Sequence, residues 1–138
     1  MRFVTAVFAA VLATASDGAA ARGIDPGQWQ ITTTMFSPIL PGPQTKTGTQ
    51  CVTPEDVKNP RRAIDKRLQS DCRAVSLRQS GDTYTWEVFC TQSGMSNKGT
   101  IRYGRGTMSG ESRTTTNVTG EMLQMITKFS GKRLGPCT

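Results

Sequence analysis

From Gln28 to Met35 the chain alternates. Trp29, Ile31, Thr33 and Met35 fall on one side, and Gln28, Gln30, Thr32 and Thr34 on the other. Period two with one apolar side predicts a half-buried antiparallel strand behind the turn Asp25-Pro26-Gly27. Ser37 to Pro43 is crowded with proline and glycine and reads as a loop. Gln44 to Val52 is Thr-rich and extended, a second strand polar enough for an edge. Thr53-Pro54-Glu55-Asp56 then opens a helix, with Thr as N-cap, Pro in the first turn and acids behind it. Asn59-Pro60 interrupts that helix. A second piece, Arg61 to Ser70, puts Ile64 and Leu68 on one stripe. Arg73–Leu77 and Tyr84–Cys90 flank Ser80-Gly81, and Lys98–Tyr103 and Thr107–Val118 flank Gly104-Arg105-Gly106. Both arrangements read as hairpins. Leu123 to Leu134 supplies a last strand, with Gly131 marking a bulge or bend. The expected fold is mainly β: an antiparallel meander of about seven strands forming a curved sheet or small barrel. One broken helical insertion lies between strands 2 and 3.

The first residues change the picture of compartment. Arg2, the apolar stretch Phe3 to Ala15 and the small residues Ala19-Ala20-Ala21 have the anatomy of a secretory signal peptide. Residues 1–21 are therefore expected to be removed, leaving 22–138 as a single exported domain, periplasmic or secreted. The apolar stretch is shorter than the roughly 18 residues of a spanning helix, and the mature chain offers no transmembrane segment.

Four cysteines, Cys51, Cys72, Cys90 and Cys137, remain in the mature part. An even count in an exported chain reads as a disulfide framework. A zinc site is disfavoured, because no two cysteines stand at C-x-x-C spacing and the chain has no histidine. The hairpin suggests the pairing. A two-residue turn at Ser80-Gly81 sets Leu77 opposite Tyr84 and Val75 opposite Trp86, with their apolar side chains on one face. Cys90 then shares the face of Trp86 and Val88, and Cys72 the opposite one. The expected disulfides are Cys51–Cys72, closing the helical insertion, and Cys90–Cys137.

Candidate chemistry is sparse. Without histidine, the abundant Ser and Thr hydroxyls lack their usual base. Lys46, Lys58 and Lys98 sit in polar company, and Glu87 and Glu111 read as outward strand residues rather than an acid pair. Met35, Met95, Met108, Met122 and Met125 fit core filling better than a thioether copper site. No enzyme activity, cofactor or metal is expected. Seventeen Lys and Arg against ten Asp and Glu give a net charge of +7. The basic residues are dispersed, and only Tyr103 lies between arginines, so no base-stacking platform is evident and no nucleic acid partner is expected. Arg61, Arg62, Lys66 and Arg67 are the candidates for contact with an anionic envelope component. Trp29, Trp86 and Phe129 are the candidate core or ligand-facing aromatics.

Several signatures occur in a recognisable order. Pro26-Gly27-Gln28-Trp29-Gln30-Ile31 opens the domain, Gln50-Cys51-Val52-Thr53-Pro54-Glu55-Asp56 follows, and Cys72 and Trp86-Glu87-Val88-Phe89-Cys90 come next. Phe129-Ser130-Gly131-Lys132-Arg133-Leu134-Gly135-Pro136-Cys137 closes it. In these blocks the chain resembles domain-of-unknown-function family 3617, small exported proteins of Gram-negative bacteria. The resemblance implies a compartment and a fold type, and no reaction. Two functional readings follow. One is a non-enzymatic binding module for an apolar or mixed small ligand. The other is an envelope interaction protein docking on an anionic surface or an acidic partner through its basic face.

Overall fold

The structure is a computed structural model and describes residues 23–138. The proposed signal peptide lies outside the described residues. Seven strands form one open, curved sheet: β1 (Gly27–Phe36), β2 (Gln44–Val52), β3 (Cys72–Ser80), β4 (Thr83–Cys90), β5 (Ser96–Tyr103), β6 (Thr107–Val118) and β7 (Glu121–Gly135). Two short helices, α1 (Pro54–Lys58) and α2 (Pro60–Asp65), lie between β2 and β3. The sheet order is β2-β1-β7-β6-β5-β4-β3, and every neighbouring pair is antiparallel. The meander is thus continuous from β3 to β7, and β1 then joins β7 and carries β2 to the far edge.

This topology dictates what the insertion must do. Antiparallel pairing at every step leaves the two edge strands, β2 and β3, running the same way. The chain therefore leaves β2 at one end of the sheet and enters β3 at the other. The helical segment makes that journey across the open seam. Its start is well specified. Thr53 Oγ1 accepts from the Asp56 amide at 3.1 Å, and the Asp56 carboxylate accepts from the Thr53 amide at 3.1 Å. This reciprocal capping box, with Pro54 in the first turn, is the signal legible in the sequence. The second helix is shorter than its apolar stripe suggests. It ends at Asp65, and the chain tightens into turns in which the Arg67 and Leu68 amides bond three residues back. Ile64 and Leu68 still pack on the buried Ala74, Val88 and Cys90.

The β3–β4 hairpin departs from expectation in two ways, and the second one corrects the disulfides. Ser80 pairs with Thr83, so Gly81 and Asp82 make the turn, and Gly81 takes the positive φ of 58° that such turns require. Leu77 then faces Trp86 instead of Tyr84. This slip of two preserves the faces. Further along, however, the register shifts by one between Ala74 and Ser76. Val75 is the extra residue, and its side chain is turned out to solvent. A bulge of one residue exchanges the faces of everything beyond it. Ala74 goes inward and Cys72 lands directly opposite Cys90, on the same face. The disulfides are accordingly Cys72–Cys90 and Cys51–Cys137. The expected pairs Cys51–Cys72 and Cys90–Cys137 do not form.

Both edges of the insertion are thereby fastened. Cys51 precedes α1 and is tied to Cys137, just past β7, and Cys72 follows α2 and is tied to β4. Two side chains one helical turn apart also grip the free edge of β3. Arg61 donates to the Ala74 carbonyl at 2.7 Å, and the Ala74 amide donates to Asp65 at 3.3 Å. The bulge and this grip interrupt the β3 edge at Ala74, a feature that disfavours pairing with another strand there.

Gly131 is neither bulge nor bend. It stays in register with Ile31 and Met108, and the break in the β1–β7 ladder lies at Gln28/Trp29. Gly131 is small because the Met108 side chain crosses it: an added Cβ would sit 2.6 Å from the Met108 methyl carbon.

Candidate functional site

Three glycines shape the inner face of the sheet. Gly99 lies beneath the indole of Trp86, which would overlap any Cβ placed there. Gly110 lies beneath Phe129, where a Cβ would meet the ring edge at 2.6 Å, and Gly131 lies beneath Met108. Glycines at these positions let large side chains lie flat along neighbouring strands and let the sheet bend. Trp86 and Phe129 meet at a centroid distance of 6.1 Å, tilted by 33°. Together they form a floor. The Trp86 indole is fixed by donation to Asn97 Oδ1 at 2.7 Å, and Asn97 is fixed in turn by donation to Thr114 Oγ1 at 2.8 Å.

Above this floor the sheet and the insertion line an open cavity of about 600 Å³. Ile31, Leu77, Ile101 and Met108 extend the floor, and Val57, Ala63, Ile64 and Leu68 supply the roof from the helical segment. That volume lies within the usual range of small-molecule sites, about 300–1,000 Å³. The burial pattern agrees with an unfilled interior. Among the described hydrophobic residues only Trp29, Ala63, Ala74, Tyr84, Val88, Cys90 and Met108 are buried, whereas Trp86, Phe129, Ile101 and Tyr103 remain half-buried although they face inward.

Polar groups enter the cavity at few points. Tyr84 and Tyr103 meet edge-to-face at 5.4 Å. Burial and the nearby Tyr84 push the Tyr103 phenol up to about 12, and burial raises that of Tyr84. Both hydroxyls are therefore neutral at ordinary pH, able to donate or accept. Asp56, on α1, and Arg67, just after α2, line the cavity wall. Asp56 is almost fully buried. It accepts from Lys66 Nζ at 2.8 Å, Arg67 Nη2 at 3.0 Å and the Thr53 amide at 3.1 Å. These donors, Lys66 foremost, hold its carboxyl well below the usual carboxylate range.

The sequence profile described as "Protein of unknown function (DUF3617)" matches residues 24–137. The chain belongs to the DUF3617 family. No curated protein and no solved structure matches it.

In this DUF3617 domain the sequence-derived candidates separate. Trp86 and Phe129 come together as the cavity floor. Trp29 does not join them. It is fully buried at the end of the sheet, donating to the Asp25 carbonyl at 2.9 Å, and serves packing. Arg61, Arg62, Lys66 and Arg67 share the insertion, but three of them already hold acceptors within the chain. Arg61 binds the Ala74 carbonyl, Lys66 binds Asp56, and Arg67 binds Asp56 and the Ala63 carbonyl. Glu87 and Glu111 stand on the outer face near Lys98 (3.6 Å) and Arg113 (3.7 Å), as expected of outward strand residues. The one cluster of potential metal ligands among the described residues, Asp71, Cys72 and Cys90, contains the sulfurs of a disulfide and is not a thiolate site. Sequence reasoning missed Tyr84, Tyr103, Met108 and Ile101 as cavity residues. The alternation Tyr84, Trp86, Val88, Cys90 carried part of that signal.

Asp56 ties the roof together, and its loss has a defined signature. Asp56→Asn is expected to cost about 1–2 kcal/mol, mainly through the weakened helix cap, since the ion pairs involve half-exposed cations. Because the folded carboxyl is held low, its contribution is complete above the ordinary Asp range and declines as pH falls below about 4. Urea denaturation of the native chain should lose stability across that acid limb, and Asp56→Asn should flatten the loss.

Proposed function

We propose that this DUF3617 domain is a non-enzymatic binding module, exported to an oxidising compartment, that holds an apolar or mixed small molecule between its curved sheet and its helical insertion. One observation carries the reading: large apolar side chains, Trp86 and Phe129 foremost, face a 600 Å³ space that the chain does not fill. The glycines beneath them support it, because they let both rings lie against the sheet, where the Cβ of an Ala or Val would displace them. The absence of histidine in the sequence and the engagement of all four cysteines in disulfides support a role without catalysis. The two disulfides also support the oxidising compartment. Docking on an anionic surface through Arg61, Arg62, Lys66 and Arg67 has weaker support, since three of these cations are engaged internally.

Titration with the apolar fluorophore 1-N-phenylnaphthylamine tests the reading. Saturable enhancement with quenching of tryptophan emission is expected. Ile64→Glu, which puts a charge in the roof, should abolish it in a chain whose circular dichroism is unchanged. Ile39→Glu, at a position 69% exposed in the β1–β2 loop, should not affect it. Equal loss in both variants, or no enhancement at all, would overturn the reading.

A further inference from the structure

We infer that the ligand is an amphiphile with an anionic head group, its apolar body on the Trp86–Phe129 floor and its head at Arg67. The inference rests on the binding-module reading and adds the chemical class. Asp56 and Arg67 are the two charged residues on the cavity wall. They are not equivalent. The Asp56 carboxylate has a side chain only 5% exposed and already accepts three hydrogen bonds, from Lys66, Arg67 and Thr53. A carboxylate offers about four acceptor positions, so little remains for a cationic head. Arg67 is in the opposite condition. Its side chain is 40% exposed, so it stands where the cavity meets solvent. Of the five N–H donors of a guanidinium, one on Nη1 goes to the Ala63 carbonyl at 2.7 Å and one on Nη2 to Asp56 at 3.0 Å. The others are unengaged among the described residues. Asp56 fixes the guanidinium plane at the rim, as a positioning residue fixes a clamp. With Lys66 also on Asp56, the cluster of one anion and two cations stays positive.

The orientation follows from solvation. A charged head costs heavily if it is drawn into an apolar cavity unpaired, whereas at the rim it keeps water and gains charge-assisted hydrogen bonds. The tail meanwhile covers half-buried aromatic surface that water otherwise wets. An anionic head on an apolar body is the chemistry that satisfies both ends.

The test uses three probes of equal chain length, each kept below its micelle or solubility limit: dodecanoate, dodecan-1-ol and dodecyltrimethylammonium. Each competes against 1-N-phenylnaphthylamine on the full mature chain. Dodecanoate is expected to bind about tenfold or more tighter than the alcohol, with the cation weakest. Arg67→Gln should weaken dodecanoate about tenfold more than it weakens dodecan-1-ol, and Arg67→Lys should restore part of the difference. Arg62→Gln removes the same net charge at a residue that does not line the cavity, and should leave the preference intact. If the fluorophore binds but the three probes compete equally, the head-group inference fails and the binding module stands. If Arg62→Gln and Arg67→Gln weaken dodecanoate alike, net charge rather than Arg67 is responsible, and the inference fails. If neither the fluorophore nor any probe binds, the binding-module reading fails first.

Discussion

Replacing Cys51 and Cys137 together by Ala is expected to destabilise the domain by roughly 4–5 kcal/mol, a large share of the roughly 5–15 kcal/mol of a typical domain. The pair closes a loop with a sequence separation of 86, and the entropy returned to the unfolded chain grows with that length. Cys72 and Cys90 are separated by only 18, and the same argument gives roughly 3 kcal/mol. Cys90 is also buried, so its truncation leaves a void that adds to the cost. Denaturant titration of the two double variants measures both. The single variant Cys51→Ala reports connectivity directly. It should leave Cys137 open to alkylation and Cys72 protected. Labelling of Cys72 instead would mean that the insertion is closed on itself. The consequence reaches the cavity, because the Cys51–Cys137 bridge anchors the point at which the roof leaves β2.

Gly99→Val is the second large effect. The new side chain would occupy the space of the Trp86 indole, which rests on the Gly99 backbone. Trp86 must then swing into the cavity, and its 2.7 Å bond to Asn97 breaks. Overpacking of this kind costs about 1–3 kcal/mol. The expected result is a domain that still folds, with a lower denaturation midpoint, a shifted tryptophan emission and no fluorophore uptake. The comparison variant is Gly48→Val, on β2, where an added Cβ meets nothing within 4 Å. It should keep uptake. Unchanged binding in Gly99→Val would show that the Trp86 floor is not where the ligand sits.

The elements that could be read from the sequence are those set by local chemistry. Thr53-Pro54-Glu55-Asp56 specifies its helix start through side chains three residues apart, and the structure has both bonds. The alternation around Trp29 and from Tyr84 to Cys90 gives strands because side chains on a strand must take opposite faces. What could not be read depends on partners far along the chain. Val75 looks like any strand valine, yet it is the residue left over when β3 is fitted to β4, and that surplus decides which cysteines meet. Gly99, Gly110 and Gly131 carry no label of their own. Their meaning lies in Trp86, Phe129 and Met108, each on a neighbouring strand. The basic run Arg61, Arg62, Lys66 and Arg67 reads as a surface patch until Asp56 and the edge of β3 are placed beside it. Trp29 and Trp86 look alike in sequence, since each sits on an apolar strand face. Only the fold buries one, with its indole on the Asp25 carbonyl, and puts the other on the cavity floor.

Native mass spectrometry of the protein, purified without organic solvent from the cells that make it, shows whether the cavity is occupied. A population heavier than the mature chain by the mass of one small apolar or amphiphilic molecule is expected. That population should survive gentle desolvation, disappear on denaturation, and be missing in Gly99→Val prepared in the same way. A single species at the mass of the bare chain, unchanged when the protein is incubated with dodecanoate, would contradict the binding-module reading.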